Sequence, residues 1–273
     1  MSSPFALGPA LLFCPASRPD RYLKAAARAD AVILDLEDAV APGDKAAARA
    51  ALTSTPLDPA RTIVRVNGVR SAELAADLEA LATTSYRTVM LPKAASADDV
   101  AALAGYQVVA LVETARGVMA VNEIAAAEGV AALMWGAEDL VASLGGTSSR
   151  GTAGGYRGVA VHARASVLLA AGAHGRSAVD AVHTDLADHE GLRVEAEDAA
   201  ASGFVATACL HPDQVEVVRA AYRPDAARVA WAEAVLAAAH EHPGVFGFEG
   251  QMIDEPVLEL ARRLLARAGV TAS

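Results

Sequence analysis

The stretch Ala31-Val32-Ile33-Leu34-Asp35-Leu36-Glu37-Asp38 decides how this chain folds. Four apolar residues run without interruption, and the run then ends in acids. A strand with one face on water would alternate apolar and polar residues. An unbroken run is the mark of a strand buried on both faces, as in a parallel sheet. The same pattern recurs on either side: residues 10–14, 31–36, 62–66, 88–91, 108–112, 130–135, 178–182 and 204–210 all read as short buried strands. Between them lie Ala-rich segments with helical spacing, at 18–28, 44–52, 72–81, 115–127, 159–171 and 213–222. In 72–81, Leu74, Leu78 and Leu81 recur at i, i+4 and i+7, while Glu73, Asp77 and Glu79 fall away from that stripe. Ser71 precedes it as an N-cap.

Eight such units in about 220 residues predict an α/β chain folded as a (β/α)8 TIM barrel. The competitor is a doubly wound sheet, which carries a Gly-rich turn after its first strand. Here that turn reads Phe13-Cys14-Pro15-Ala16-Ser17-Arg18, without glycine. The barrel is expected over residues 1–222, with a C-terminal helical extension over 223–273. In the extension, Arg223-Pro224 breaks the chain, 226–240 reads as a helix and 242–254 as a Gly-containing loop. A last helix spans 255–268, with Pro256 in its first turn. An addition of this size can cap its own barrel or cross to a neighbouring subunit.

Composition supports a packed core and excludes several function classes. Hydrophobic residues make up 53% of the 273 and aromatic residues only 4%, so the core must be built from Ala, Val and Leu. The net charge of −10 argues against a surface for nucleic acid or anionic lipid, because both need a basic face. Cys14 and Cys209 are too few for a disulfide framework, and no CxxC or HExxH occurs. Both read as inert buried thiols, and the chain as a reduced, cytoplasmic protein. Residues 1–17 carry no charged side chain, but they lack a basic start and contain Pro4 and Pro9, unlike a signal peptide. The other long uncharged stretch, 199–212, is too short to span a bilayer.

In a barrel, chemistry gathers at the C-terminal ends of the strands. Here those ends carry Asp35, Glu37 and Asp38, then Arg65 and Asn67, Lys93, Glu113 and Arg116, Glu138 and Asp139, Asp180 and His183, and His211. So many acids on one rim call for a cation. Oxygen ligands with few histidines favour Mg²⁺ over zinc, and Glu113 with Asp139, on adjacent strands, is the natural pair. The competing reading of Asp38 and Asp139 is that they cap helices. Arg65 wants a carboxylate or an enolate-like oxygen, and an ion pair with Asp35 or Glu37 is compatible with either. Arg18, Arg21 and Lys24 share a helix face that suits a phosphate or is simply solvated. Residues 145–155 form a long Gly-rich loop, either a lid or plain surface. The residues alone thus point to a barrel with a divalent metal at its rim and an anionic substrate.

Taken together, certain strings resemble a known family. Phe13-Cys14-Pro15 with Arg18-Pro19, Leu34 to Val40, Val64-Arg65-Val66-Asn67, Leu91-Pro92-Lys93, Val112 to Gly117, Gly136 to Leu140 and His211-Pro212 fall in the order seen in citrate lyase beta-subunit-like proteins. These belong to the HpcH/HpaI aldolase and malyl-CoA lyase superfamily. The resemblance implies a Mg²⁺-dependent carbon–carbon lyase that cleaves 3-hydroxyacyl-CoA thioesters, such as citramalyl-, malyl-, citryl- or hydroxymethylglutaryl-CoA, reversibly to an acyl-CoA and a keto acid. It implies Glu113 and Asp139 as metal ligands, and Arg65 facing the thioester enolate. Backbone amides of Gly136 and Ala137 would hold the keto-acid carboxylate, with Glu37 and Asp38 ordering water and substrate. Arg18, Arg21 and Lys24 would lie in the coenzyme A region. The string Phe248 to Asp254 resembles a tail motif whose aspartate, Asp254, acts as acid/base on a neighbouring subunit. That implies a homo-oligomer, with a trimer favoured, whose residues 223–273 form a lid over the neighbour. The alternatives are an aldolase of free hydroxy-keto acids and a non-catalytic thioester-binding barrel.

Overall fold

The structure, a computed structural model, describes residue 5 and residues 7–152, 154–242 and 244–269. The chain divides into two compact units, Met1–Val218 and Arg219–Ser273.

In the first unit eight strands close into a barrel in sequence order, with the last beside the first. They are β1 (Ala10–Pro15), β2 (Ala31–Asp35), β3 (Thr62–Arg65), β4 (Thr88–Leu91), β5 (Gln107–Val112), β6 (Val130–Trp135), β7 (Ser177–Asp180) and β8 (Ala206–Cys209). All eight pairings are parallel. Every expected strand is present, shifted at its ends by no more than a few residues. The helices are α1 (Pro19–Arg28), α2 (Lys45–Ser54), α3 (Leu74–Ala82), α4 (Ala97–Ala101), α5 (Ala115–Met119), α6 (Val121–Ala126), α7 (Ala137–Ser143), α8 (Gly158–Ala173), α9 (His189–Ser202) and α10 (Pro212–Tyr222).

The barrel interior is a single apolar cluster that includes Leu11, Ile33, Ile63, Met90, Val109, Leu111, Met134 and Val179, none more than 3% exposed. Small residues, Ala31, Ala132, Ala206 and Ala208, let these larger chains interdigitate. Removing one, as in Ile63→Ala, leaves a cavity costing about 2–5 kcal/mol.

Three helical expectations need correction. The third helix starts at Leu74, with Glu73 at the cap position; Ser71 Oγ instead accepts from the Glu73 N–H at 3.2 Å. Asp77 lies on the buried stripe with Leu74 and Leu81 and is fully buried, not on the wet face, because Arg49 and Asn67 bond to it there. The segment 115–127 is two helices, α5 and α6, with a break at Ala120. Helices α4, α7 and α9 carried no sequence expectation.

In the second unit, α11 (Ala226–Glu241) and α12 (Glu255–Ala268) pack around Ala232, Ala261, Leu264 and Leu265. The expected loop between them is a small antiparallel hairpin, β9 (Phe246–Phe248) and β10 (Gln251–Ile253). Its turn places Glu249 at φ 48° and Gly250 at φ 81°, the left-handed pair of a two-residue hairpin. Ile253, Val235 and Leu258 bury together beneath it.

Candidate active site

Strand parity builds the site. Side chains two apart on a strand face the same way. Ala31 and Ile33 fill the barrel, so Asp35 follows them at the open end of β2. By the same step Ile63 leads to Arg65, Leu111 to Glu113 and Met134 to Gly136. The apolar interior therefore ends in a polar layer at one rim.

Asp35 and Arg65 are register partners on β2 and β3. Arg65 donates from Nε to Asp35 Oδ1 (2.7 Å) and from Nη2 to Asp35 Oδ2 (2.6 Å), a two-point grip. Its Nη1 lies 3.0 Å from Glu37 Oε2, and its Cζ stands 4.9 Å from the centre of the Phe13 ring. Burial works against the Arg65 charge, but Asp35 and Glu37 outweigh it and hold the guanidinium's pKa above its usual value. Asp35 in turn accepts from the backbone N–H groups of Glu37 and Ala39, fixing the turn after β2.

Glu113 is buried against Gly136. A Cβ on Gly136 would sit 2.8 Å from Glu113 Oε2, so only glycine leaves room for that carboxylate. Glu113 Oε1 accepts from the Lys93 N–H at 3.0 Å. Burial first, and then the charge of Asp139, push the Glu113 carboxyl up to about 8, against the pull of Lys93 and Arg65. Glu37 is also raised by burial, opposed by Arg65 and Lys93. Asp139, on the first turn of α7, is 41% exposed and makes no cap hydrogen bond. Asp38 is more exposed still and lies 3.4 Å from Lys93 Nζ.

Asp35, Asp38, Arg65, Glu113 and Asp139 line a 410 Å³ cavity with an apolar side of Phe13, Leu111, Met134, Trp135, Val182 and Leu210. Its polar side carries Asp35, Asp38, Glu113, Glu138 and Asp139. Arg65 pairs with Asp35 and Glu37, and Lys93 with Glu37, Asp38 and Asp139, whereas Glu113 is met by the Lys93 main-chain N–H. A surplus of carboxylate oxygens remains, with no imidazole among them. Among the described residues no three His, Cys, Asp or Glu side chains gather as a complete metal cage. Two carboxylates beside an open cavity suit Mg²⁺, which takes one or two and leaves its other positions to water and substrate. Glu113 and Asp139 fit that ion.

The profile of the HpcH/HpaI aldolase/citrate lyase family matches residues 10–212, which is the barrel with its rim. The chain belongs to this family. It is a lyase of the HpcH/HpaI type. It is 60% identical over 268 residues to a citrate lyase subunit beta-like protein of Mycobacterium tuberculosis, covering 98% of each. It is 36% identical to a (3S)-malyl-CoA thioesterase of Cereibacter sphaeroides, covering 96% of this chain and 95% of the relative. It superposes with a TM-score of 0.93 on the crystal structure of protein CitE from Mycobacterium tuberculosis in complex with magnesium, acetoacetate and coenzyme A, at 60% identity, covering 97% of this chain and 99% of the other.

The other residues singled out in this HpcH/HpaI chain lie as follows. The Gly136 N–H donates to Val112 O at 3.3 Å, whereas the Ala137 N–H belongs to the first turn of α7, whose donors have no partner within the helix. Arg18 precedes α1 and pairs with Asp20; Arg21 and Lys24 are exposed and make no side-chain bond among the described residues. Asp254 accepts from the Val257 N–H at 3.4 Å as the N-cap of α12. Asp180 faces away from the metal pair, taken up by Trp135 Nε1 (2.6 Å) and Arg164. His183 bonds Glu195, which also pairs with Arg150 from the loop at 145–155. Both cysteines are buried, and burial pushes the Cys14 thiol up to about 11.

Two features escaped the sequence reading. Lys93, whose place at a strand end announces no role, touches four of the acids. Behind the rim, Lys45 Nζ donates to Leu36 O (2.6 Å), Glu37 O (2.7 Å) and Asn67 Oδ1 (2.9 Å). Asn67 passes the contact to Asp77, which Arg49 secures. A lysine three residues before Ala48 and seven before Leu52, on the apolar stripe of α2, was the available signal.

Proposed function

We propose that this protein is a Mg²⁺-dependent lyase that cleaves 3-hydroxyacyl-CoA thioesters, such as citramalyl-, malyl-, citryl- or hydroxymethylglutaryl-CoA, reversibly to an acyl-CoA and a keto acid. The observation that carries this reading is the rim: the Glu113–Asp139 oxygen pair beside an arginine held rigid by Asp35, at the mouth of a half-apolar cavity. The CitE neighbour supports it, since its crystal holds magnesium with a keto acid and coenzyme A together.

Mg²⁺ held by Glu113 and Asp139 supplies Lewis acidity to the hydroxyl and keto-acid oxygens. Arg65 aims its remaining N–H groups at the thioester oxygen, where negative charge builds as the bond between C2 and C3 breaks. The electron pair of that bond becomes the enolate, C3 becomes the ketone carbon, and its hydroxyl proton leaves. A proton returned to C2 completes the acyl-CoA. Asp254, supplied by a neighbouring subunit, is the carboxylate assigned to the proton. Glu37 and Asp38 order water and substrate; the Gly136 N–H is spent on Val112 O, so of the two expected amides it is that of Ala137, at the start of α7, that holds the keto-acid carboxylate. Arg18, Arg21 and Lys24 meet the phosphates of coenzyme A. The assembly is a homo-oligomer, a trimer in this reading, with residues 223–273 as the lid over the next subunit, working in the cytoplasm. No helix among the described residues is long and apolar enough to cross a membrane.

The test is turnover of a panel of 3-hydroxyacyl-CoA esters and free hydroxy-keto acids, with Mg²⁺ and with EDTA. Glu113→Gln and Asp139→Asn should each abolish Mg²⁺ binding and turnover. Near wild-type cleavage by either variant in EDTA would remove the metal from the account.

A further inference from the structure

Lys93 follows Pro92 at the C-terminal end of β4. Its φ is 54°, a left-handed backbone that only one other described non-glycine residue adopts. Such a conformation persists where the surroundings over-determine it, and it concentrates at working sites. Here it coincides with a residue that reaches the acid cluster from two directions. The Lys93 main-chain N–H donates to Glu113 Oε1 at 3.0 Å. Its ammonium donates to Glu37 Oε1 at 2.6 Å and to Asp38 Oδ2 at 3.4 Å, and stands 3.6 Å from Asp139 Oδ1.

The two rim cations are not equivalent. Arg65 spends its fork on Asp35, is deeply buried, and cannot leave without undoing the turn after β2. Lys93 is a point charge on a flexible stem, with its side chain 34% exposed. Its bond to Glu37 is short, whereas its reach to Asp139 is long and that acid is half in solvent. One ammonium thus bridges the ends of β2 and β6 by way of β4, in the space where negative charge would otherwise go unanswered.

We propose that Lys93 is an internal counter-ion of the acid cluster: a tethered cation that assembles Glu37, Asp38 and Asp139 before a divalent ion arrives and then competes with that ion for Asp139. This rests on the reading of Glu113 and Asp139 as the metal pair. It makes Lys93 a positioning residue that acts through those acids. Two consequences oppose each other, and that separates this role from a plain structural one. Without the ammonium, the empty site holds its acids together less well, so the metal-free protein is less stable. The same loss removes a positive charge beside the metal position, so a divalent ion binds more tightly.

The experiment is a Mn²⁺ titration, followed by the loss of the free-ion electron paramagnetic resonance signal, on wild type, Lys93→Asn and Lys93→Gly at one pH and ionic strength. Asparagine and glycine both accept a left-handed backbone and keep the main-chain N–H on Glu113. Even at the dielectric of bulk water, a unit charge about 4 Å from a divalent ion changes affinity by roughly thirtyfold, and a longer distance with screening by salt lowers that toward roughly threefold. Both variants should bind Mn²⁺ more tightly by that factor. Without metal they should melt below wild type, and saturating Mn²⁺ should raise their Tm by more than it raises that of wild type. Affinity unchanged or weakened in both variants, with wild type binding normally, would overturn the counter-ion role and leave the metal pair standing. A wild-type protein that binds no Mn²⁺ would overturn the metal pair and this inference with it.

Discussion

A carboxyl pushed up to about 8, as Glu113 is by burial and by Asp139, still holds its proton for much of the time at neutral pH. A cation that binds there must displace it. Mg²⁺ binding at pH 7 should therefore release close to one proton, measured by calorimetry in buffers of different ionisation enthalpy, and Glu113→Gln should abolish the release. The same shift links pH to stability. The folded pKa lies above the ordinary value of 4.5, so the contribution is full below that value and is lost as pH rises toward about 8. The Tm of the metal-free protein should fall across that window, and less so in Glu113→Gln. Arg65 gives a second prediction at this scale. Its grip on Asp35 uses two nitrogens of a planar fork, which lysine cannot reproduce. Arg65→Lys should lose nearly as much turnover as Arg65→Ala; a lysine variant with most of its activity would reduce Arg65 to a point charge.

At the scale of elements, α2 and α3 do more than cover the barrel. Lys45 and Asp77 sit on their buried stripes and, through Asn67, tie the helices to the backbone after β2 that carries Glu37. Removing one partner strands buried polar groups. Lys45→Met and Asp77→Ala should each cost about 2–5 kcal/mol in urea unfolding, whereas a cost below about 0.5 kcal/mol, the range of ordinary surface changes, would contradict the brace. This level was the least legible in the sequence. Strands announced themselves because a parallel barrel buries both faces and leaves continuous apolar runs. Helix α9 did not, since its stripe is Leu192, Ala196, Ala199 and Ala200 amid Glu190, Arg193, Glu195, Glu197 and Asp198. Small residues mark a helix face weakly when packing, not bulk, defines it. Asp77 misled for the opposite reason, because an acid normally marks the wet face and only its tertiary partners reverse that. The hairpin after α11 was hidden by Glu249, which occupies a left-handed position usually signalled by asparagine, aspartate or glycine.

For the whole molecule, the charged rim was legible because strand parity carries the inward face of the barrel directly into Asp35, Arg65 and Glu113. The Arg65 ion pair was legible too, but the contacts of Lys93 were not, since it reaches Glu37 and Asp38 across more than fifty residues that spacing cannot relate. In the proposed function the second unit reaches a neighbouring subunit. Asp254 caps α12, so Asp254→Ala also forfeits about 1 kcal/mol of helix stability. Asp254→Asn keeps a capping oxygen and is the cleaner variant. It should retain metal binding and oligomer size while losing roughly 10²–10⁴ in turnover, the usual range for a general acid or base. Protomers carrying Asp254→Asn, unfolded and reassembled with protomers carrying Glu113→Gln, should regain part of the activity if sites are shared between subunits. A mixture that stays inactive, while wild type survives the same treatment, would confine Asp254 to its own chain.

The central claim is that this barrel breaks a carbon–carbon bond and spares the thioester. The measurement that meets it most directly is mass analysis of the products from a 3-hydroxyacyl-CoA ester such as citramalyl-CoA, incubated with the wild-type protein and Mg²⁺. The account predicts a shortened acyl-CoA and a keto acid in equal amounts, neither formed by Glu113→Gln. Free coenzyme A with the intact hydroxy acid as the product would make the enzyme a thioesterase, and would contradict the account.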